Sequence, residues 1–238
     1  VKGINDAGAD VVDLGLSSTP MVYFGTARYG FKASVQITAS HNPRENNGMK
    51  VSRENALQVG LDSGLGQIQQ WISEGRPTPV AEQRGKVIPM DIHDEYVTFL
   101  RGYLSDLSGI RVAFDLSNGM SCLFAREIFG DSHSYIFDEI DGTFPNHEPN
   151  PLIHKNVEPL EALVRETGAD VGVIYDGDAD RVMFVDDEGH FVSPDLIIAV
   201  LGKYGVEKRG ERGRVLQDSG SSKSVGEGRE PMGIRMQT

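Results

Sequence analysis

A chain of 238 residues with 39% apolar and 24% charged side chains is long enough to bury a sizeable core, and its balance excludes a disordered or fibrous protein. A net charge of −12 argues against a nucleic-acid or anionic-membrane surface and leaves small molecules as the default partners. The single cysteine, Cys122, excludes an intrachain disulfide, and the longest apolar stretch, at 196–201, falls far below the roughly 18 residues of a membrane span, so the sequence reads as cytoplasmic. Glycine stands out, with 28 positions, as expected where loops close tightly on a ligand. The mixed run from Glu207 to Arg214 reads as a solvated loop. The chain opens at Val1 rather than at methionine, which reads as a fragment.

In chain order, residues 11–15 read as a short buried strand, and Met21, Val22, Phe24 and Ala27, after Pro20, have helical spacing. A second strand at 33–38 runs into the polar loop Ala39-Ser40-His41-Asn42-Pro43, where Pro43 holds Asn42 extended. Asn47-Gly48 marks a turn before an extended run at 49–51. Leu65, Ile68, Trp71 and Ile72 form an apolar helical stripe that Pro77 and Pro79 break, and a domain boundary is expected near residue 90. Asp91 is the expected N-cap of a helix carrying Ile92, Tyr96, Phe99, Leu100 and Tyr103 on one face.

A strand at 110–115, a Ser117-Asn118-Gly119 turn, a helix over 122–129 and a strand at 134–137 follow, and the proline-rich 144–151 is loop. Asn156 is expected to cap a helix with Val157, Leu160, Leu163 and Val164 inward, ending at Gly168. Strands at 171–175 and 182–186 flank an acidic loop. From Pro194 come a helix, a strand at 214–217, a turn at 218–220, a helix beginning near Ser221 and a strand at 234–236. The pattern around Asp115 recurs around Asp218 as a weak internal repeat. Strands alternating with helices predict parallel α/β layers in more than one unit.

Asp176-Gly177-Asp178-Ala179-Asp180-Arg181 puts three carboxylates at alternate positions, where they can converge on one hard cation such as Mg²⁺ or Ca²⁺. Without a counter-ion, three like charges so close together cost free energy. An EF-hand would need Gly and Glu at its sixth and twelfth loop positions, where Arg181 and Asp187 stand. Arg181 offers a fork suited to a phosphate that bridges to the metal. Asp176 and Asp178 directly after a strand also suit a phosphatase that phosphorylates an aspartate.

Ser40 lies at the C-terminal end of a strand, the edge where open α/β sheets bind ligands. No Gly-x-Ser-x-Gly elbow or phosphate-binding P-loop motif occurs. Together, a loop serine, His41, Lys50 and a distant three-aspartate loop suit phosphoryl transfer, in which charge neutralisation and positioning supply most of the catalysis.

Thr38-Ala39-Ser40-His41-Asn42-Pro43, Asn47-Gly48-Met49-Lys50, the 144–151 stretch Phe-Pro-Asn-His-Glu-Pro-Asn-Pro and the acidic loop resemble, in order and spacing, successive signatures of the α-D-phosphohexomutase family. The phosphomannomutase/phosphoglucomutase branch is the nearest fit, over essentially the whole chain. The resemblance implies that Ser40 is a phosphoserine and that Mg²⁺ is held by Asp176, Asp178, Asp180 and a phosphate oxygen on Ser40. It implies that Arg181 steadies that phosphate, and that His41 and Lys50 handle protons or position groups. The implied reaction interconverts a hexose 1-phosphate and a hexose 6-phosphate through a hexose 1,6-bisphosphate.

The implied fold is a succession of α/β domains with mixed sheets flanked by helices. Residues 1–90 would be the later part of a first domain, 91–192 a second, and 193–238 the beginning of a third, so the first and third are truncated. The family's amino-terminal arginine motif, Gly-Glu-x-Ser-Gly sugar loop and Arg-x-Ser-Gly-Thr phosphate loop are absent. Gly220 stands where third domains often place a basic residue. The chain alone is therefore expected not to sustain turnover. Competing readings are a non-catalytic Mg²⁺ and sugar-phosphate binding module and the aspartate-phosphorylating phosphatase.

Overall fold

Short β-branched runs bounded by turn residues become strands in this chain, and the longer segments with 3.6-residue periodicity become helices. The computed structural model describes residues 1–210, 214–216 and 235–237. Its first elements are α1 (Lys2–Asp6), β1 (Val11–Asp13), α2 (Thr19–Arg28), β2 (Ala33–Ile37), β3 (Met49–Arg53), β4 (Leu57–Gln58), α3 (Leu65–Ser73) and β5 (Val87–Pro89). β1 pairs in parallel with β5, and β2, β3 and β4 form an antiparallel sheet that sets Gln36 opposite Lys50. Ser18 caps α2, its Oγ accepting from the Met21 N–H at 3.2 Å, with Pro20 in the first turn. α3 forms where its stripe predicts, but Ile68, Trp71 and Ile72 stay exposed.

A larger sheet follows: α4 (His93–Arg101), β6 (Val112–Asp115), α5 (Ala125–Phe129), β7 (Ser134–Ile136), α6 (His154–Thr167), β8 (Val171–Tyr175), β9 (Val182–Val185) and β10 (Phe191–Val192). Its order is β10-β9-β8-β6-β7, with β6 parallel to both β7 and β8, and β9 and β10 antiparallel. The layers are thus mixed rather than purely parallel. α6 lays Val157, Leu160 and Val164, all fully buried, over Ala113, Ile174 and Val185, and Gly168 ends it in the left-handed conformation at φ 62°. Beyond it lie α7 (Pro194–Glu207), β11 (Arg214–Leu216) and β12 (Arg235–Gln237), the last two paired in parallel. Among the described residues no helix is long and apolar enough to cross a membrane.

Gly172 on β8 lets α6 approach the sheet closely at this core. A Cβ there would meet Val164 at 2.8 Å, Val185 at 3.0 Å and Leu160 at 3.1 Å. Gly172→Ala is therefore expected to destabilise the chain by about 1–3 kcal/mol, the usual cost of overpacking. A urea unfolding midpoint equal to that of the unsubstituted chain would refute this.

Several boundaries differ from expectation. α4 begins at His93 with Ile92 as N-cap, and Asp91 stands one residue outside, its Oδ1 accepting from the His93 N–H at 2.9 Å. Asn156 lies inside α6, whose N-cap is Ile153, and its Nδ2 donates to the Asn150 carbonyl at 2.9 Å, so it ties the preceding loop to the helix rather than capping it. The helix expected over 122–129 divides into a 3₁₀ turn, Met120–Leu123, and α5, because Phe124 departs from helical geometry at φ −145°. The turn at 218–220, the helix near Ser221, the repeat at Asp218 and the Gly220 departure lie outside the described residues.

Packing runs across residue 90 without a break. Met21 joins Ile92, Tyr96, Val97 and Phe124 in one buried cluster. Phe24 lies 5.4 Å from the Tyr96 ring and 4.8 Å from that of Phe99. Glu95 accepts from Arg28 Nε at 2.6 Å and from the Tyr29 hydroxyl.

Candidate active site

The loop from 38 to 48 joins β2 to β3. Thr38 Oγ1 accepts the Ser40 N–H at 2.8 Å, and Ser40 itself sits at φ +55°, a region few non-glycine residues occupy and one associated with functional turns. β3 then returns antiparallel and brings Lys50 back to the serine, with Nζ 3.3 Å from Ser40 Oγ.

The acidic loop joins β8 to β9, which pair antiparallel up to Tyr175 and Val182. Asp176 is fully buried, and its Oδ1 accepts the N–H groups of Asp180 at 3.0 Å and Arg181 at 3.1 Å. Among the described residues that leaves the buried Asp176 Oδ2 without a hydrogen-bond partner, with Arg181 Nε 3.7 Å away. Asp178 is buried, Asp180 is partly exposed, and ligand oxygens of the three lie within 4.8 Å of one another.

These two loops, 138 residues apart in sequence, meet at Ser40: its Oγ lies 3.2 Å from Asp178 Oδ1. His41 Nδ1 is 3.4 Å and Arg181 Nη2 3.5 Å from Ser40 Oγ. Lys50 Nζ bridges Asp178 Oδ2 and Asp180 Oδ2 at 2.6 Å each. The loops touch along their backbones as well. A Cβ on Gly177 would stand 2.6 Å from the Ser40 carbonyl oxygen, so glycine is required at that approach. All seven residues singled out from the sequence, Ser40, His41, Lys50, Asp176, Asp178, Asp180 and Arg181, therefore occupy one place.

Thr19 was not among them. It is fully buried at the start of α2, its Oγ1 donates to Asp178 Oδ2 at 2.5 Å, and its N–H donates to the Asp178 carbonyl at 3.1 Å. Ser18-Thr19-Pro20 signals a helix start and nothing more, so the sequence carried no sign of this partner. A cleft of about 1200 Å³ opens beside the junction, bordered by Ser40, Asp178, Arg44, Met120, Phe144 and the β2 face at Val35 and Ile37.

The electrostatics follow from crowding. Burial raises the Asp176 carboxyl to about 7, with Asp178 and Asp180 adding repulsion. Burial also opposes ionisation of Asp178, but the hydrogen bonds from Lys50 and Thr19 outweigh it and hold that carboxyl below its ordinary value. Lys50 is pulled down by burial and more strongly up by Asp178 and Asp180, so it remains an ammonium. Burial, then the Arg181 charge, lowers His41 and keeps it neutral at pH 7. Three hard oxygen donors, an orphaned buried carboxylate oxygen and an ammonium seated between two of the carboxylates together fit a divalent cation of the Mg²⁺ or Ca²⁺ type.

Fold and site thus define an α/β protein in which a loop serine on one sheet faces an acidic, metal-type loop on another. Sequence profiles described as phosphoglucomutase/phosphomannomutase, alpha/beta/alpha domain I and domain II match residues 1–76 and 94–189. The chain belongs to the α-D-phosphohexomutase family, in its phosphoglucomutase/phosphomannomutase group. It is 37% identical over 218 residues to a phosphomannomutase of Salmonella typhimurium, a match covering 87% of this chain and 48% of that protein. Against a phosphomannomutase/phosphoglucomutase of Pseudomonas putida it is 34% identical over 206 residues, covering 85% and 43%. Among solved structures it resembles a phosphoglucomutase/phosphomannomutase family protein from Burkholderia thailandensis, with a TM-score of 0.86 and 25% identity over 98% of this chain and 52% of that one. The chain spans about half the length of the curated relatives it matches.

Proposed function

We propose that this chain carries the phosphoserine and metal-binding part of a cytoplasmic phosphohexomutase that interconverts hexose 1-phosphate and hexose 6-phosphate through a hexose 1,6-bisphosphate. Residues 1–90, 91–192 and 193–238 would then belong to three successive units. The observation that carries this reading is the convergence of Asp178, Lys50, His41 and Arg181 on a single hydroxyl, Ser40 Oγ.

Asp176, Asp178 and Asp180, with a phosphate oxygen on Ser40, would hold Mg²⁺, which supplies charge neutralisation for a transferring phosphoryl group. A phosphoryl group on Ser40 would pass to the free 6-hydroxyl of a hexose 1-phosphate, breaking the bond from phosphorus to Ser40 Oγ and giving the 1,6-bisphosphate. After the bisphosphate turns, Ser40 Oγ attacks the phosphorus on the 1-oxygen, that phosphorus–oxygen bond breaks, and hexose 6-phosphate leaves with the phosphoserine restored. Lys50 and Arg181 are the cations placed to hold the phosphoryl oxygens. His41, neutral at pH 7, is the base able to take the proton of the attacking hydroxyl and return it. The phosphatase reading would need an accessible nucleophile, and Asp176 is fully buried.

The test is phosphopeptide mapping after incubation with Mg²⁺ and glucose 1,6-bisphosphate. Phosphate on Ser40 is the expected result. Phosphate on Asp176 would favour the phosphatase, and none at all the binding module.

Thr19 should act on the metal through Asp178. Removing the Thr19 hydroxyl in Thr19→Val takes away one of the two donors on Asp178 Oδ2, and Mg²⁺ affinity by titration calorimetry is expected to fall about 10-fold, as when other groups that orient metal ligands are lost. Thr19→Ser should restore it. Equal affinity in Thr19→Val would reduce Thr19 to a helix-start residue.

A further inference from the structure

Asp115, at the end of β6, is fully buried and takes no part in the contacts of Ser40. Its Oδ1 accepts the Ser117 N–H at 2.8 Å, and its Oδ2 lies 3.0 Å from His147 Nε2. The other ring nitrogen of His147, Nδ1, lies 2.7 Å from the Glu148 carbonyl oxygen. A carboxylate and a carbonyl only accept, so the ring satisfies both by donating from both nitrogens, which is the imidazolium form. The side chain is 6% exposed and packs edge-on against Phe137 at 5.3 Å, which leaves water little access as a substitute.

The groups that face the ring are the Asp115 carboxylate, from β6, and the Glu148 carbonyl, from its own loop. Burial opposes the charge on His147, and those two groups outweigh it, holding the imidazole above its ordinary value. Cys122, which also feels Asp115, is pushed up to about 12, chiefly by burial, and stays a thiol.

Two lines of contact lead from this pair to the acidic loop. On the Asp115 side, Ser117 Oγ donates to the Tyr175 carbonyl at 2.6 Å and the Met120 N–H donates to the Gly177 carbonyl at 2.9 Å. Gly119 is so close that a Cβ there would stand 2.7 Å from that same carbonyl oxygen. On the His147 side, Asn146 Nδ2 donates to Asn118 Oδ1 at 2.8 Å, and a Cβ on Gly177 would lie 3.1 Å from the Cβ of Pro149. Gly177, between two of the three carboxylates, is therefore gripped from both sides by segments that the His147–Asp115 pair ties together.

We propose that His147 is a positioning residue for the metal-holding loop: as a doubly donating cation between Asp115 and the Glu148 carbonyl, it clamps the 144–151 loop and the 117–120 turn onto Gly177 and so fixes the orientation of Asp176 and Asp178. This rests on the metal reading above. The step is purely conformational, and it gives the proline-rich loop a task that none of its residues performs by touching the serine.

Two measurements on the 238-residue chain test it. Long-range ¹H–¹⁵N spectra of the unsubstituted chain should show both His147 nitrogens protonated at pH 7, and a neutral tautomer there would overturn the proposal. Titration calorimetry with Mg²⁺ should show roughly 10-fold weaker binding in His147→Gln, which donates from one nitrogen only. A lower melting temperature with Mg²⁺ affinity unchanged would make the pair merely structural. Should His147→Gln fail to fold, the unsubstituted chain decides: its Mg²⁺ affinity must drop at the pH where the ring loses a proton, and constant affinity through that pH overturns the proposal. If the unsubstituted chain binds no Mg²⁺, the metal reading itself falls and takes this proposal with it, an outcome distinct from a failure confined to His147.

Discussion

Asp176→Asn is expected to stabilise the metal-free chain at pH 8 while removing its affinity for Mg²⁺. Asp176 is fully buried, and its carboxyl is raised to about 7 from 3.8 by burial, with Asp178 and Asp180 contributing. A carboxyl raised in the folded state favours folding only while it holds its proton. Its contribution is therefore intact below about pH 4 and declines as pH climbs toward 7, on the order of a few kcal/mol in all. Asparagine never ionises. Its oxygen can keep the N–H bonds from Asp180 and Arg181, and its neutral amide ends the repulsion with Asp178 and Asp180. The melting temperature in the presence of a chelator should rise by several degrees at pH 8 and change little at pH 4. Mg²⁺ affinity should fall roughly 100-fold or more, beyond what loss of an orienting neighbour costs. A variant that is less stable at pH 8, or that keeps its Mg²⁺ affinity, would show that burial of Asp176 serves packing rather than the ion.

Ser40→Ala is expected to abolish labelling of the protein by glucose 1,6-bisphosphate, a loss of roughly 10⁴-fold or more in the rate of phosphoryl exchange, because the attacking oxygen is gone. Stability should barely change, since both residues carry a Cβ and the positive φ at Ser40 costs each the same. Asp178→Asn should fail differently, losing Mg²⁺ binding and labelling together, because Asp178 reaches Lys50 and Thr19 as well as the serine. Residual label in Ser40→Ala, mapped to any other side chain, would end the phosphoserine assignment. Substrate binding lost equally in both variants would mark Ser40 as scaffold.

Spacing alone revealed what is local, and the meeting of Ser40 with the acidic loop was foreseen only through the family resemblance. The 171–175 run Val-Gly-Val-Ile-Tyr reads as a strand, and the stripe of Val157, Leu160 and Val164 as an inward helix face, because their pattern is contained in a few residues. Ser40 and the three aspartates were legible for the same reason, as short motifs whose chemistry shows in their spacing. The contact between them was not legible from spacing, since 138 residues separate Ser40 from Asp178. Thr19 was hidden because a threonine before Pro20 fully explains itself as a helix start. His147 was hidden inside a loop whose prolines announce irregular backbone and say nothing of a buried ion pair. The apolar stripe of α3 shows the opposite limit, for amphipathicity marks a face without saying what, if anything, covers it. Cap positions at Asp91 and Asn156 slipped by a residue or more because several polar residues near each helix start compete for the role.

The aromatic and aliphatic packing across residue 90, with Thr19 fastened to Asp178, bears on what can move during a reaction cycle. Serine and triad ride on one block, so the distance between them is not a coordinate the molecule can open and close at small cost. A phosphoryl group on Ser40, as proposed, would thereby be confined to one spot in one frame. If two different positions of a sugar must each visit that spot, the reversal belongs to the diffusible molecule, which has to leave its first pose and present its other end while the protein half of the chemistry stands still.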